Sequence, residues 1–228
     1  MIASITGADV TLPMETSIQA MKCVVTFATL VLSLTARAEG TKNFWGGVGK
    51  RAAAVEDTTP TQDPRVLSTR QWYKEVNRNL PRYRKVVKDL QVSTEGGLLT
   101  AWFDGASLVK IATGIYGETG RAFEEYYFQG DKLIFAFVQI QRYAGIFGKI
   151  VSNEKERFYF EGGRLYRWVK ADGRIVSSAD LVNPQDLDPK VIGEFEENAR
   201  WLPKASKLFF DGARSRDATI SAPRDFAK

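Results

Sequence analysis

The sequence predicts an α+β domain in which an antiparallel β-meander of about six or seven strands packs against N-terminal and C-terminal helices. Three observations predict it. One short phrase recurs: Trp102-Phe103-x-Gly105-x-x-Leu108, Tyr127-Phe128-x-Gly130-x-x-Leu133 and Tyr159-Phe160-x-Gly162-x-x-Leu165. Each reads as a strand end, a Gly-centred turn and a new strand, so three hairpins follow one another. Segments on both sides carry apolar residues at helical spacing, from Trp72 to Leu90 before the hairpins and from Val191 to Leu202 after them. Finally, 228 residues with 44% hydrophobic content suffice for one ordinary domain with a real core plus appendages.

The appendages come first. Met21-Lys22, the apolar run Cys23 to Thr35 and Ala36-Arg37-Ala38 supply the three parts of a secretory signal peptide: a basic start, an apolar middle and a small-x-small cleavage site. The apolar run is about thirteen residues, short of the roughly 20 that span a bilayer. Residues 21–38 are therefore expected to be a signal peptide cleaved after Ala38. That leaves no transmembrane segment and a periplasmic or secreted protein, with an uncleaved N-terminal anchor as the alternative. Residues 1–20 contain Asp9 and Glu15 and no basic residue, so they read as an upstream extension with Met21 the true initiator. Residues 39–64 have no sustained period and read as a flexible linker, in which Phe44-Trp45 is an isolated apolar pair. Residues 65–214 form the single α+β domain, and 215–228 a tail.

Within the domain, Ser68-Thr69-Arg70-Gln71 fits a capping box, and the helix it opens carries Trp72, Tyr73 and Val76. Pro81 interrupts. Leu80, Tyr83, Val86, Val87 and Leu90 then recur at helical spacing behind Asn79, which predicts a second stretch of helix. After the meander, Asp188-Pro189 places an N-cap and a first-turn proline before the stripe Val191, Ile192, Phe195, Ala199 and Leu202, with Glu194, Glu196 and Glu197 on the polar side. Pro203 is expected to kink or end this helix.

In a two-residue hairpin the Phe before the turn and the Leu after it share a face. Phe103, Phe128, Phe160, Leu108, Leu133 and Leu165 are therefore placed on the core face, joined by Tyr126, Phe135, Phe137 and Phe158, with the flanking helices lying on it. The opposite face receives Trp102, Tyr127, Tyr159, Tyr166 and Trp168, together with Thr100, Glu125 and Arg157. Aromatic bodies with polar tips suit a half-wet surface that stacks sugars or meets a partner. The alternative is that the C-terminal segment folds over it. Lys110 and Arg167 fit this phase poorly, since it puts both on the core side.

Composition excludes much chemistry. Cys23, inside the signal, is the only cysteine and there is no histidine, which rules out an internal disulfide, Cys/His zinc sites and any His base or mature Cys nucleophile. No cofactor motif is present: Gly117-x-x-Gly120 lacks the Lys-Ser/Thr of a phosphate loop and precedes a strand. Ser107-x-x-Lys110 and Ser152-x-x-Lys155 match a penicillin-enzyme phrase, but residues three apart on a strand face opposite ways. Glu124 and Glu125 likewise point to opposite faces, and Glu125 with Arg157 reads as a cross-strand ion pair. The net charge is +5, but 32 basic residues are interspersed with 27 acidic ones, unlike the one-sided basic face of a nucleic-acid binder, so no nucleic-acid partner is expected.

The segments Glu125-Tyr-Tyr-Phe-Gln-Gly-Asp-Lys-Leu-Ile-Phe135 and Arg157-Phe-Tyr-Phe-Glu-Gly-Gly-Arg-Leu-Tyr-Arg-Trp168, with Gly117-Glu-Thr-Gly120, resemble a group of uncharacterised secreted bacterial β-meander proteins over roughly residues 80–170. More loosely, the phrase is similar to Tyr-x-x-Gly-x-Leu hairpin repeats of antitoxin-like proteins. The resemblance implies secretion and a β-meander, and assigns no residue a role.

The sequence thus points to a non-catalytic binding module for a small molecule, a glycan or an envelope protein. Its candidate ligand-binding residues are Trp102, Tyr127, Tyr159, Tyr166 and Trp168, with Arg157 orienting an anionic or hydroxyl-bearing ligand. The rivals are a carboxylate-based hydrolase of cell-envelope glycans and a structural envelope protein whose aromatic face is an oligomer interface.

Overall fold

The computed structural model describes residues 61–223. The upstream extension, the signal segment, nearly all of the linker with Phe44-Trp45, and residues 224–228 lie outside them. The elements are α1 (Pro64–Asn79), β1 (Arg84–Gln91), β2 (Gly97–Asp104), β3 (Ser107–Gly117), β4 (Gly120–Gln129), β5 (Lys132–Tyr143), β6 (Ile150–Glu161), β7 (Arg164–Val169), β8 (Ile175–Ser177), α2 (Pro189–Arg214) and β9 (Thr219–Ser221), with 3₁₀ turns at Leu80–Arg82 and Pro184–Asp186. The strands form one nine-stranded sheet in the order β8-β7-β6-β5-β4-β3-β2-β1-β9, antiparallel throughout except for the parallel β1–β9 pair. The class is α+β as expected, with more strands than expected.

Both helices open on the same device. Asp63 accepts a hydrogen bond from the Arg65 amide at 2.9 Å and Pro64 occupies the first turn, as Asp188 does for the Lys190 amide ahead of Pro189. The N-cap of the first helix is therefore Asp63, five residues before Ser68, because an Asp-Pro cap satisfies a free amide and presets φ without any capping box. The expected second helix is absent. After the turn at Leu80–Arg82 the chain becomes β1, whose Val86, Lys88 and Leu90 face one way at period two. Lys88 hides the alternation from a hydropathy reading. Its ammonium is buried and donates to the carbonyls of Ser215 (2.8 Å) and Asp217 (2.7 Å), tying down the segment after α2, so that Thr219–Ser221 is a strand within the expected tail. The C-terminal helix also outruns expectation. It continues through Pro203 to Arg214, carrying Phe209 against Tyr126 (ring centroids 5.8 Å) and Phe210 against Phe128 (5.3 Å). Burial of those rings, at roughly 1.5–3 kcal/mol each, outweighs the one helical hydrogen bond that a proline removes.

The helices lie on opposite faces of the sheet, not together on one. α2 covers Phe103, Leu108, Phe128, Leu133, Phe158, Phe160, Leu165 and Tyr126, while α1 covers Tyr127, Phe135, Phe137, Tyr159 and Tyr166. The Phe and Leu of each repeat do share a face. Beyond the turn, however, the phase slips. Phe103 pairs with Leu108 but Trp102 with Lys110; Phe128 with Leu133 but Tyr127 with Phe135; Phe160 with Leu165 but Tyr159 with Arg167. Val109, Ile134 and Tyr166 are the extra residues of three β-bulges, and each reverses the alternation of the strand that follows. Three placements are corrected as a result. Phe135 and Phe137 move to the α1 side, Trp168 moves to the α2 side, and Lys110 and Arg167 join the aromatic face that the unbulged phase denied them. The turns themselves are as expected: Gly130 and Asp131 both have positive φ (56° and 61°), the backbone of a type I′ hairpin.

Candidate functional site

The expected aromatic platform is a covered layer. Tyr127 and Tyr159 are essentially inaccessible (0% and 1%), Tyr166 is nearly so, and Trp102 is half-buried. The cover is α1 at the N-terminal side of the domain, where the sequence suggested the C-terminal segment. Tyr73 of α1 packs 5.1 Å from Tyr127 and 6.0 Å from Phe135, and Trp72 donates its indole N–H to the Phe128 carbonyl. Trp102, Tyr127, Tyr159 and Tyr166 are thus brought together with the half-buried Arg157, whose guanidinium lies 5.9 Å from the Phe137 ring. Trp168 is separated from them by the thickness of the sheet, stacked on Phe158 with an interplanar angle of 12°.

Beneath α1 lies a closed polar network. Lys110 donates to Glu125 Oε1 (3.0 Å) and Asn77 Oδ1 (2.9 Å), Tyr127 donates to Glu125 Oε2 (2.7 Å), and Asn77 Nδ2 donates to the Tyr127 hydroxyl (3.0 Å). Glu125 is paired with Lys110, one strand away. Burial pushes the Lys110 pKa down and the Glu125 charge opposes it. Every group here has its counterpart, so the network fastens α1 to the sheet and offers nothing to a ligand. A second buried carboxyl, Glu124, faces α2 and accepts from Tyr126 (2.8 Å) and Thr113 (3.2 Å); burial raises its pKa.

The other side of β6 is different. Glu154-Lys155-Glu156-Arg157 alternates in charge, and a strand turns that alternation into two faces: the glutamates point toward α2, the basic residues away from it. On α2, Glu194, Glu197, Asn198 and Trp201 form a stripe at i, i+3, i+4 and i+7. Together with Ile140 of β5 and Trp168 of β7 they line a pocket of about 30 Å³. Trp168 is 1% exposed, and its indole Nε1 is buried without a hydrogen-bond acceptor. The Lys170 ammonium sits 4.4 Å from the Trp168 ring centroid and is held by Glu194 Oε2 at 2.7 Å, while Arg142 approaches Glu154 only to 3.9 Å. Four carboxylates thus line the pocket. Among the described residues no group of three acidic side chains is arranged to hold a metal ion.

No family model, curated protein or solved structure matches the chain. The chemistry of the pocket follows from its own atoms. Its volume admits one or two water-sized groups. The carboxylates accept hydrogen bonds and favour positive charge, and the Trp168 N–H requires an acceptor. Of the residues singled out in the sequence, only Trp168 belongs to this pocket. Glu154, Glu156, Glu194, Glu197 and Trp201 were not recognised. The signal that marks them is the charge alternation within a strand and the i, i+3, i+7 stripe on the glutamate side of α2.

Proposed function

We propose that the protein is a secreted or periplasmic, non-catalytic binding module that takes a small group bearing both an ammonium and a hydroxyl, such as the amino-alcohol portion of an amino sugar, into the pocket between β5–β7 and α2. The observation that carries this reading is the buried, acceptor-less indole N–H of Trp168, a residue that lines the glutamate-rich pocket. A hydroxyl oxygen accepts from Trp168 and donates to a carboxylate, and the neighbouring ammonium meets the glutamates that line the pocket. The export reading rests on the residues from Met21 to Ala38. Among the described residues no helix is long and apolar enough to cross a membrane.

Calorimetric titration with glucosamine, with glucose and ethanolamine as half-ligands, tests the reading. Glucosamine binding that weakens about tenfold in both Trp168→Phe and Glu197→Gln supports it, a loss of about 1.4 kcal/mol per removed contact. Equal or absent heats for all three compounds remove it. A carboxylate-based hydrolase of envelope glycans is the second reading, favoured by glutamates entering the pocket from both β6 and α2. It requires turnover of an amino-sugar glycan that disappears in Glu154→Gln or Glu197→Gln.

A further inference from the structure

The bulge in β7 does something a regular strand does not: it places Tyr166 and Arg167, neighbours in sequence, on the same side of the sheet. Tyr166 is the extra residue, and Arg167 pairs across to Tyr159 on β6 and Ser177 on β8. Both look toward α1. The Arg167 guanidinium is 5.9 Å from the Tyr159 ring centroid, Tyr159 and Tyr166 are 6.3 Å apart, and the Arg65 guanidinium of α1 lies 4.2 Å over the Tyr166 ring. Two guanidiniums and two tyrosine rings thus gather at the start of α1.

Its donors are unsatisfied. Arg167 Nε and Nη2 and the Tyr166 hydroxyl are all buried with no hydrogen-bond partner. Nε and Nη2 form one edge of the guanidinium, the edge whose two N–H bonds run parallel and grip two oxygens of one anion. The nearby acids serve a different cation, since Arg65 is engaged by Asp63 (2.9 Å) and Glu161 (3.0 Å). Burial, with the Asp63 and Glu161 charges, raises the Tyr166 pKa to about 12, so its hydroxyl stays a donor at neutral pH; Arg65 and Arg167 act on it in the opposite sense. A buried guanidinium edge without an acceptor is costly, and two parallel donors flanked by a third define what would relieve it.

We propose that Arg167 and Tyr166 form an oxyanion-binding site, distinct from the pocket on the α2 side, in which the Nε/Nη2 edge takes two oxygens of a carboxylate or phosphate group and the Tyr166 hydroxyl donates to one of them. The two sites lie on opposite faces of β7, so each is tested without the other. The test is titration of the exported protein with sodium acetate and, separately, sodium phosphate, holding ionic strength constant with sodium chloride. Binding is followed at the ¹⁵N–¹H signal of the Arg167 Nε, assigned by its absence in Arg167→Lys. The expected result is a saturable shift with at least one anion: saturation by acetate alone identifies a carboxylate source, saturation by phosphate alone a phosphate source. Tyr166→Phe, which keeps the ring and its packing, is expected to weaken that binding about three- to tenfold. In Arg167→Lys, which loses the parallel donors, the anion-dependent rise in melting temperature is expected to vanish. No saturable shift with either anion, the same shift with chloride alone, or unchanged affinity in Tyr166→Phe overturns the proposal.

Discussion

Two buried polar clusters, one on each face of the sheet, are in opposite conditions. On the α1 side, Lys110, Glu125, Tyr127 and Asn77 complete one another's hydrogen bonds at 2.7–3.0 Å. On the α2 side, Trp168 keeps an unmatched indole N–H in a pocket lined by glutamates. The composition of the two regions is similar, each mixing acids, a lysine and aromatics. What differs is satisfaction. A closed network lowers the energy of the folded chain alone, whereas an open one has free energy still to gain from something added.

Breaking the closed network gives the largest expected effect. Glu125→Leu leaves Lys110 as an uncompensated buried charge and is expected to cost about 3–5 kcal/mol in urea denaturation, most of it recovered in Lys110→Met/Glu125→Leu, where neither charge remains. A double variant as unstable as the single one would mean the pair stabilises the fold through more than mutual neutralisation.

An intermediate effect is expected at Glu124. Its pKa is raised in the folded state by burial, so the folded protein holds that proton more tightly than the unfolded chain. The contribution is therefore whole below the ordinary carboxyl value of 4.5 and declines as the pH rises past it, by up to about 1.4 kcal/mol per pH unit until the folded-state pKa is reached. Glu124→Gln, unable to titrate, is expected to flatten that part of the stability–pH curve and to be the more stable protein at neutral pH. An unaltered slope between the two proteins would show that Glu124 does not govern it.

The smallest effect sharpens the contrast most. Trp168→Phe removes an unmatched donor and retains an aromatic ring against Phe158, so thermal unfolding is expected to shift by no more than about 1 kcal/mol in either direction. Tyr127→Phe, removing a matched donor that leaves Glu125 short of one partner, is expected to cost about 1–3 kcal/mol. Equal costs for the two would erase the distinction between the two clusters.

Much of the fold was legible in the residues. The three hairpins, the antiparallel sheet and the Asp188-Pro189 helix start all depend on contacts within a few positions, and each was marked by its own residues: a Gly-centred turn, or a capping aspartate before a proline. The candidate pocket was much less legible. Trp168 is expected on the wrong face, and Glu194 and Glu197 read only as the polar side of their helix. A bulge decides a side chain's face through one residue of register, and register is set by pairing with a strand that local pattern does not see. β1 was hidden for a related reason, because Lys88 interrupts the alternation and is buried only where carbonyls from beyond α2 receive its ammonium.

By itself, then, the sequence determined where the three hairpins turn and that their flanking segments pair, since those choices are made by φ preferences and short-range periodicity. Tertiary structure alone decided that the helices sandwich the sheet, that Lys110 meets Glu125, and that Trp168 and Arg167 face opposite ways with their donors unmatched. Those outcomes rest on three one-residue bulges and on contacts between groups far apart in sequence, from the 15 positions separating Lys110 and Glu125 to the 129 separating Lys88 and Asp217. A side chain's burial and its hydrogen-bond partner are properties of what arrives beside it, and local residue preference carries no record of that arrival.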